Sequence, residues 1–255
     1  MNLKKYFGKI FLIDHFLHNI FSIFIKLFFG NRSFLQGSFQ PDSFDLIELD
    51  SNEGQELLAN SSCSLNYDLL SKNIQAQDTF NYCGVATIVM ILNAFASNST
   101  HSLLDFPSIT TQKSVFENRI KPTLFLNKVF LGLTLKQLKQ LFETYSLKTT
   151  VYYAEESLSL ERFRDLSASN LNKPNSFVIV NYWRRSLNQK GWGHISPLGA
   201  YNSEVDSFLI LDVARHRYPS VWVKTKILYS AMRIREFSFF GKPRGFLVVS
   251  KNKND

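Results

Sequence analysis

The stretch Cys83–Ala96 is apolar around its whole circumference, broken only by Thr87 and Asn93. A helix with no polar face has to be buried, so this segment is expected as the central helix around which the rest of the chain packs. It also begins with a thiol. In the run Gln77-Asp-Thr-Phe-Asn-Tyr-Cys83-Gly84, a turn delivers Cys83 to the first helical turn, with Gln77 six residues upstream. Helix N-termini carry unpaired N–H groups and a partial positive charge, which favour a thiolate. A cysteine needed only for packing has no use for that placement. The chain has 255 residues, enough for one core of ordinary size plus a short extension. Its 45% hydrophobic and 20% charged composition belongs to a folded protein.

A reactive thiol needs a base, and His194 with Asp212 offers one. Asn202-Ser-Glu-Val-Asp206 links two strand-like runs. If the hairpin centres on Ser203, His194 lies directly opposite Asp212, close enough for the carboxylate to fix the imidazole tautomer. Gly191 and Gly193 beside the histidine strengthen this reading. Gln77, otherwise a surface turn residue, is at an offset suited to donating an N–H to an oxyanion alongside the Cys83 backbone N–H. Cys83, His194, Asp212 and Gln77 together read as a papain-type cysteine site.

The remaining pattern indicates an α+β domain. Leu135–Tyr145 is expected as an amphipathic helix with Thr134 as its N-cap. Thr149–Tyr153, Ser176–Trp183, Ile195–Tyr201, Ser207–Val213 and Phe246–Ser250 are expected strands from their β-branched and aromatic content. Val221–Met232 reads as helix. Helices are expected first and antiparallel strands after them.

Residues 1–32 carry Lys4, Lys5, Lys9, Lys26 and Arg32 against Asp14 alone, and ten of the 24 phenylalanines precede residue 45. Asp14, His15, His18 and Lys26 interrupt every window long enough to span a bilayer, and no small-residue cleavage site follows. The segment reads as a basic amphipathic helix for a membrane surface or for targeting. An atypical export signal and a helix packed on the domain are the alternatives, so a membrane-associated or exported protein stands beside a cytoplasmic one. Residues 41–68 are acidic with no lysine or arginine. Residues 33–64 are expected as an acidic connector, 65–250 as the catalytic domain and 251–255 as a polar tail. The net charge of +8 is spread without a dense basic cluster or nucleic-acid motif, so no nucleic acid is expected as partner.

Two cysteines make no disulfide framework, and a Cys63–Cys83 bridge would consume the candidate nucleophile. Cys63 lies in a loop-like context and reads as a bystander. His101 and His216 lack a partner at useful spacing, and no set of ligands suggests a metal site.

The runs Asn81-Tyr-Cys83-Gly84-Val-Ala, Gly193-His194-Ile-Ser-Pro-Leu-Gly-Ala-Tyr201, Leu211-Asp212-Val-Ala-Arg215-His-Arg-Tyr218-Pro219-Ser-Val-Trp222 and Lys242-Pro-Arg244-Gly-Phe resemble the phytochelatin synthases over roughly residues 65–250. The resemblance implies a papain-like cysteine proteinase fold, its central helix bearing Cys83 and packed on an antiparallel sheet. It implies Cys83 as nucleophile, His194 as general base and acid, Asp212 as orienter and Gln77 in the oxyanion hole. It also implies Arg184, Gly193, Arg215 and Arg244 near bound glutathione, whose two carboxylates suit arginine. The implied activity is cleavage of the Cys–Gly bond of glutathione, with resolution by water or a second glutathione. The alternatives are a papain-like peptidase acting on other peptides and a non-enzymatic membrane-associated binding module. No cofactor is required; stimulation by cadmium or zinc, a metal-thiolate of glutathione as substrate, and a homodimer stay open. The cysteine-rich C-terminal region of the plant enzymes lies outside this sequence. Short bacterial members involved in metal detoxification are the nearer likeness, and hydrolysis is expected to outpace transfer.

Overall fold

A computed structural model describes residues 46–97, 110–116, 132–235 and 244–251. The proposed N-terminal helix of residues 1–32 lies outside them, as do residues 33–45 of the connector and 252–255 of the tail. Cys83–Ser97 forms the expected helix, α3, preceded by α1 (Asn52–Ala59) and α2 (Tyr67–Lys72). Every residue from Cys83 to Phe95 is buried. The helix is apolar on all sides because it is covered on all sides.

The strands are β1 (Ile47–Glu48), β2 (Lys148–Tyr153), β3 (Ser176–Trp183), β4 (Gly193–Asn202), β5 (Ser207–Ile210), β6 (Val221–Lys224) and β7 (Gly245–Ser250). They form one antiparallel sheet in the order β1-β6-β5-β4-β3-β7-β2. Alternation along the strands splits the interior into two layers. Phe177, Ile179, Leu247 and Val249 join α3 and α4 (Leu135–Thr144) in one core. Val178, Val180, Tyr182, Phe246 and Val248 join α5 (Leu160–Leu171) and α6 (Thr225–Arg233) in the other. With both faces covered, β3 is buried from Ser176 to Tyr182. Phe95 of α3 meets Phe177 edge to face at 4.8 Å. Thr134 caps α4 as expected, within a full capping box completed by Gln137.

Three expectations are corrected. Residues 46–64 belong to the folded domain: β1 pairs with β6, Trp222 Nε1 donates to Gly54 O (3.0 Å), and Cys63 bridges to Tyr201. Leu49 is buried, and Leu57 and Leu58 pack on the core, among the acids that made this stretch look solvated. Val221–Met232 is not one helix, because Val221–Lys224 pairs with β5 and β1 before α6 begins. Helices and strands also interleave, with β1 before α1 and α5 between β2 and β3.

Gly54 shows how tightly α1 is lodged. A Cβ there would lie 2.0 Å from the backbone oxygen of Glu48. Gly54→Ala is therefore expected to cost about 1–3 kcal/mol through overpacking, read as a lower thermal midpoint. An unchanged midpoint would show that α1 can move off β1 freely.

Candidate active site

Residues from α3, β3, β4 and the loop after β5 converge on one buried point. Cys83 is the first residue of α3, His194 the second of β4, and Asp212 follows the end of β5. The Cys83 thiol and the His194 imidazole are close enough to act on each other's ionisation. His194 Nε2 lies 2.9 Å from Asp212 Oδ1. With Nε2 committed to the carboxylate, Nδ1 is the ring nitrogen left for the thiol.

The Asp212 contact forms through a different register from the one expected. Asn202 Oδ1 accepts the N–H groups of Glu204 and Val205, and Asp206 takes a positive φ of 45°, so the turn occupies Ser203–Asp206. Asn202 pairs with Ser207, and the register shifts once before Leu198 pairs with Ile210. Two residues further on, Ser196, not His194, is set against Asp212. His194 reaches the carboxylate on the diagonal. Ser196 Oγ also lies 3.0 Å from His194 Nε2, and Val213 N–H donates to it at 3.4 Å.

Asp212 is fully buried and well supplied with donors. Arg184 Nη2 donates to Oδ1 at 2.9 Å, and Arg184 Nη1 lies 2.8 Å from Oδ2. Ala214 N–H donates to Oδ1 at 2.8 Å, and the Tyr182 hydroxyl leans on Oδ2 at 3.5 Å. Burial pushes the carboxyl up, but the charges and hydrogen bonds of His194 and Arg184 outweigh it and hold the group below the usual carboxylate range. Burial likewise opposes an imidazolium, yet Asp212 and Cys83 raise His194 above its ordinary value. Burial pushes the Cys83 thiol up as well; the hydrogen bond and charge of His194, the Ile195 backbone N–H and the charge of Arg184 bring it below its ordinary value. These opposed shifts favour a thiolate beside an imidazolium, the pair needed to attack a carbonyl and protonate what leaves.

Gln77 is positioned differently from expectation. It is buried, and Nε2 donates to Thr79 O and Phe80 O, both at 2.9 Å. Both amide hydrogens thus hold the loop ahead of Cys83, while Oε1 is buried without a hydrogen-bond partner. These contacts brace the loop that delivers Cys83 to α3. Gln77 N–H donates to Val213 O (2.9 Å), tying that loop to the Asp212 loop. Gln112 secures the same loop through Ala76 O and Asp78.

The four expected substrate contacts separate into three places. Arg184 is buried against Asp212, as described. Gly193 and Arg244 meet: a Cβ at Gly193 would lie 2.2 Å from Arg244 Nη1. Arg244 is buried, donating to Asn181 Oδ1 (2.8 Å) and Ile234 O (3.0 Å) beneath the Trp183 ring. Arg215 is exposed and donates to Ser220 Oγ at 3.3 Å. Cys63 and Cys83 are both free thiols. Among the described residues, no cluster of three or more His, Cys, Asp or Glu side chains could hold a metal ion, and no helix is long and apolar enough to cross a membrane.

A family model described as phytochelatin synthase matches residues 41–246. The chain belongs to that family. Glutathione gamma-glutamylcysteinyltransferase 3 of Lotus japonicus is 32% identical over 180 residues, covering 70% of this chain and 36% of the plant protein. Glutathione gamma-glutamylcysteinyltransferase 2 of Arabidopsis thaliana is 29% identical over 220 residues, covering 86% and 47%. The enzyme of that name from Schizosaccharomyces pombe is 29% identical over 185 residues, covering 72% and 43%. The chain thus spans less than half the length of these curated relatives. The crystal structure of xylellain, a cysteine protease from Xylella fastidiosa, aligns over 84% of this chain and 95% of its own at 9% identity, with a TM-score of 0.39.

Two side chains at this phytochelatin synthase-family site escaped the sequence reading. Ser196 was accessible in principle, since it stands two residues after His194 and shares its strand face. Tyr182 follows only from the pairing of β3 with β4, which sets it opposite His194.

Proposed function

We propose that this chain is a papain-like cysteine acyltransferase that acts on glutathione. One observation carries the reading: Cys83, at the N-terminus of α3, stands beside a histidine that Asp212 holds, all three buried. The relatives' names supply the substrate class.

In this reading His194 takes the Cys83 proton, and the thiolate sulfur attacks the carbonyl carbon of the Cys–Gly bond. The C–N bond breaks, and glycine leaves with the proton returned by His194. A γ-glutamylcysteinyl thioester remains on Cys83. Water, deprotonated by His194, releases γ-Glu-Cys; the amine of a second glutathione instead gives (γ-Glu-Cys)₂-Gly. Water needs no ordered site, whereas a millimolar amine must be held in attack geometry to compete, so hydrolysis is the expected main outcome. The route uses no resident metal. Cadmium or zinc enters as a stimulus or as the thiolate complex of the substrate, which is where a role in metal detoxification would lie. Residues 1–32 add attachment to an anionic membrane surface, and a homodimer is compatible with the chemistry.

The test is intact-mass measurement after incubation with glutathione. A γ-glutamylcysteinyl adduct on Cys83 is expected, with free glycine in solution. No adduct from glutathione, but one from an unrelated peptide, would replace this reading with a general peptidase.

A further inference from the structure

The likeness to phytochelatin synthases implied that Arg184 meets a substrate carboxylate. In the structure its fork is already occupied. One guanidinium nitrogen lies 2.9 Å from Asp212 Oδ1 and the other 2.8 Å from Oδ2. Nη1 also donates to Gln189 Oε1, and Arg184 Cζ lies 4.6 Å from the centre of the Tyr218 ring. The turn Arg184–Leu187 is closed by Gln189 N–H on Arg184 O (3.2 Å), while Arg184 N–H donates to Trp192 O (3.1 Å). Backbone, amide and ring therefore form a socket that presents the guanidinium to Asp212.

We propose that Arg184 is a positioning residue of the Cys83–His194–Asp212 constellation. By gripping both oxygens of Asp212, it fixes the carboxylate against His194 and balances its charge, so that the buried site can hold a thiolate and an imidazolium together. The charge arithmetic supports this. Cys83, His194, Asp212 and Arg184 are 8%, 4%, 0% and 5% exposed. Once the proton has passed from Cys83 to His194, the four carry two positive and two negative charges. Without Arg184 one negative charge would be left uncompensated away from water, which is costly. The titratable groups acting on one another here are Cys83 from α3, Tyr182 from β3, Arg184 from the following turn, His194 from β4 and Asp212 from the loop after β5. Among these, Arg184 and His194 are the cations.

This inference rests on the Cys83–His194 pairing of the proposed function, but its main readout uses no glutathione. The rate of Cys83 alkylation by iodoacetamide is followed against pH in the full chain carrying Cys63→Ser, so that one thiol reports. Arg184→Gln is expected to lower the rate at about pH 6 by about tenfold or more, because losing the cation moves thiolate formation to higher pH. Arg184→Lys, which keeps the charge but not the fork, should stay within about threefold of the parent rate. Arg184→Met, which keeps an apolar stem, gives the same test as Arg184→Gln should that variant not fold. In folded variants turning over glutathione, KM should move less than about threefold while kcat falls. An unchanged alkylation profile in folded Arg184→Gln or Arg184→Met, with the loss confined to KM, would overturn the proposal and return Arg184 to substrate binding. Should glutathione prove not to be the substrate, the alkylation profile still decides.

Discussion

Cys83→Ala will leave a folded chain that releases no measurable glycine from glutathione, whereas Cys63→Ala will retain most of the turnover. The two thiols are both buried, so burial does not distinguish them. Their surroundings do. Cys83 opens α3 and faces His194, and the Ile195 N–H and Arg184 further favour its ionised form. Cys63 exchanges backbone hydrogen bonds with Tyr201 (3.2 and 2.8 Å) and packs in the apolar layer beneath α5 and α6, away from the imidazole. Removing a nucleophile from a constellation that works as a unit leaves only background catalysis, a loss of about 10³-fold or more. Glycine release at millimolar glutathione measures it, with circular dichroism to confirm folding. Comparable losses in both variants would take the nucleophile assignment away from Cys83.

Asp212→Asn should be nearly as damaging to turnover and should also destabilise the fold. An amide can still bond to His194, but it can select the wrong tautomer and cannot stabilise an imidazolium; turnover is expected to fall by about 10²–10⁴-fold. The second effect comes from Arg184, which would keep its charge while its buried partner lost one. Breaking one side of a buried ion pair costs about 3–5 kcal/mol, enough for a thermal midpoint lower by roughly 6–20 °C in a domain of this size. The two measurements are independent. Near-normal turnover in the folded variant would remove Asp212 from the mechanism. An unchanged midpoint would show that the Arg184–Asp212 contact contributes little to the fold.

What could be read from sequence depended on whether the signal was local. The central helix was legible because its apolar residues leave no polar face, and the Thr134 cap because a cap is a local hydrogen bond. Val221–Lys224 was misread because its strand state comes from partners on β5 and β1, which sequence periodicity does not contain. The helix Leu160–Leu171 carried an available signal, the Ser159 N-cap with Phe163 and Leu171 on one buried face, that was not used. In the site, Cys83, His194 and Asp212 were brought together as expected, but through a shifted hairpin whose turn depends on the Asn202 side chain and a positive φ at Asp206. The Gln77 and Arg184 contacts were illegible for a plainer reason: spacing along the chain says nothing about which polar group a side chain will meet first.

The position of β7 in the sheet has a consequence for how the protein is made. Although it comes last in chain order among the described strands, it lies between β3 and β2, and among the described residues β2 pairs with no other strand. As the chain emerges from the ribosome, β2 must wait for about a hundred further residues before its partner exists, with its edge open to any other extended segment. The thiol, imidazole and carboxylate are all synthesised by then, yet the neighbouring β3 is still unflanked on one side. Such late, long-range closure slows folding and exposes unpaired edges. The nascent chain therefore passes through a stage in which its reactive groups are all present but the sheet that supports them is incomplete.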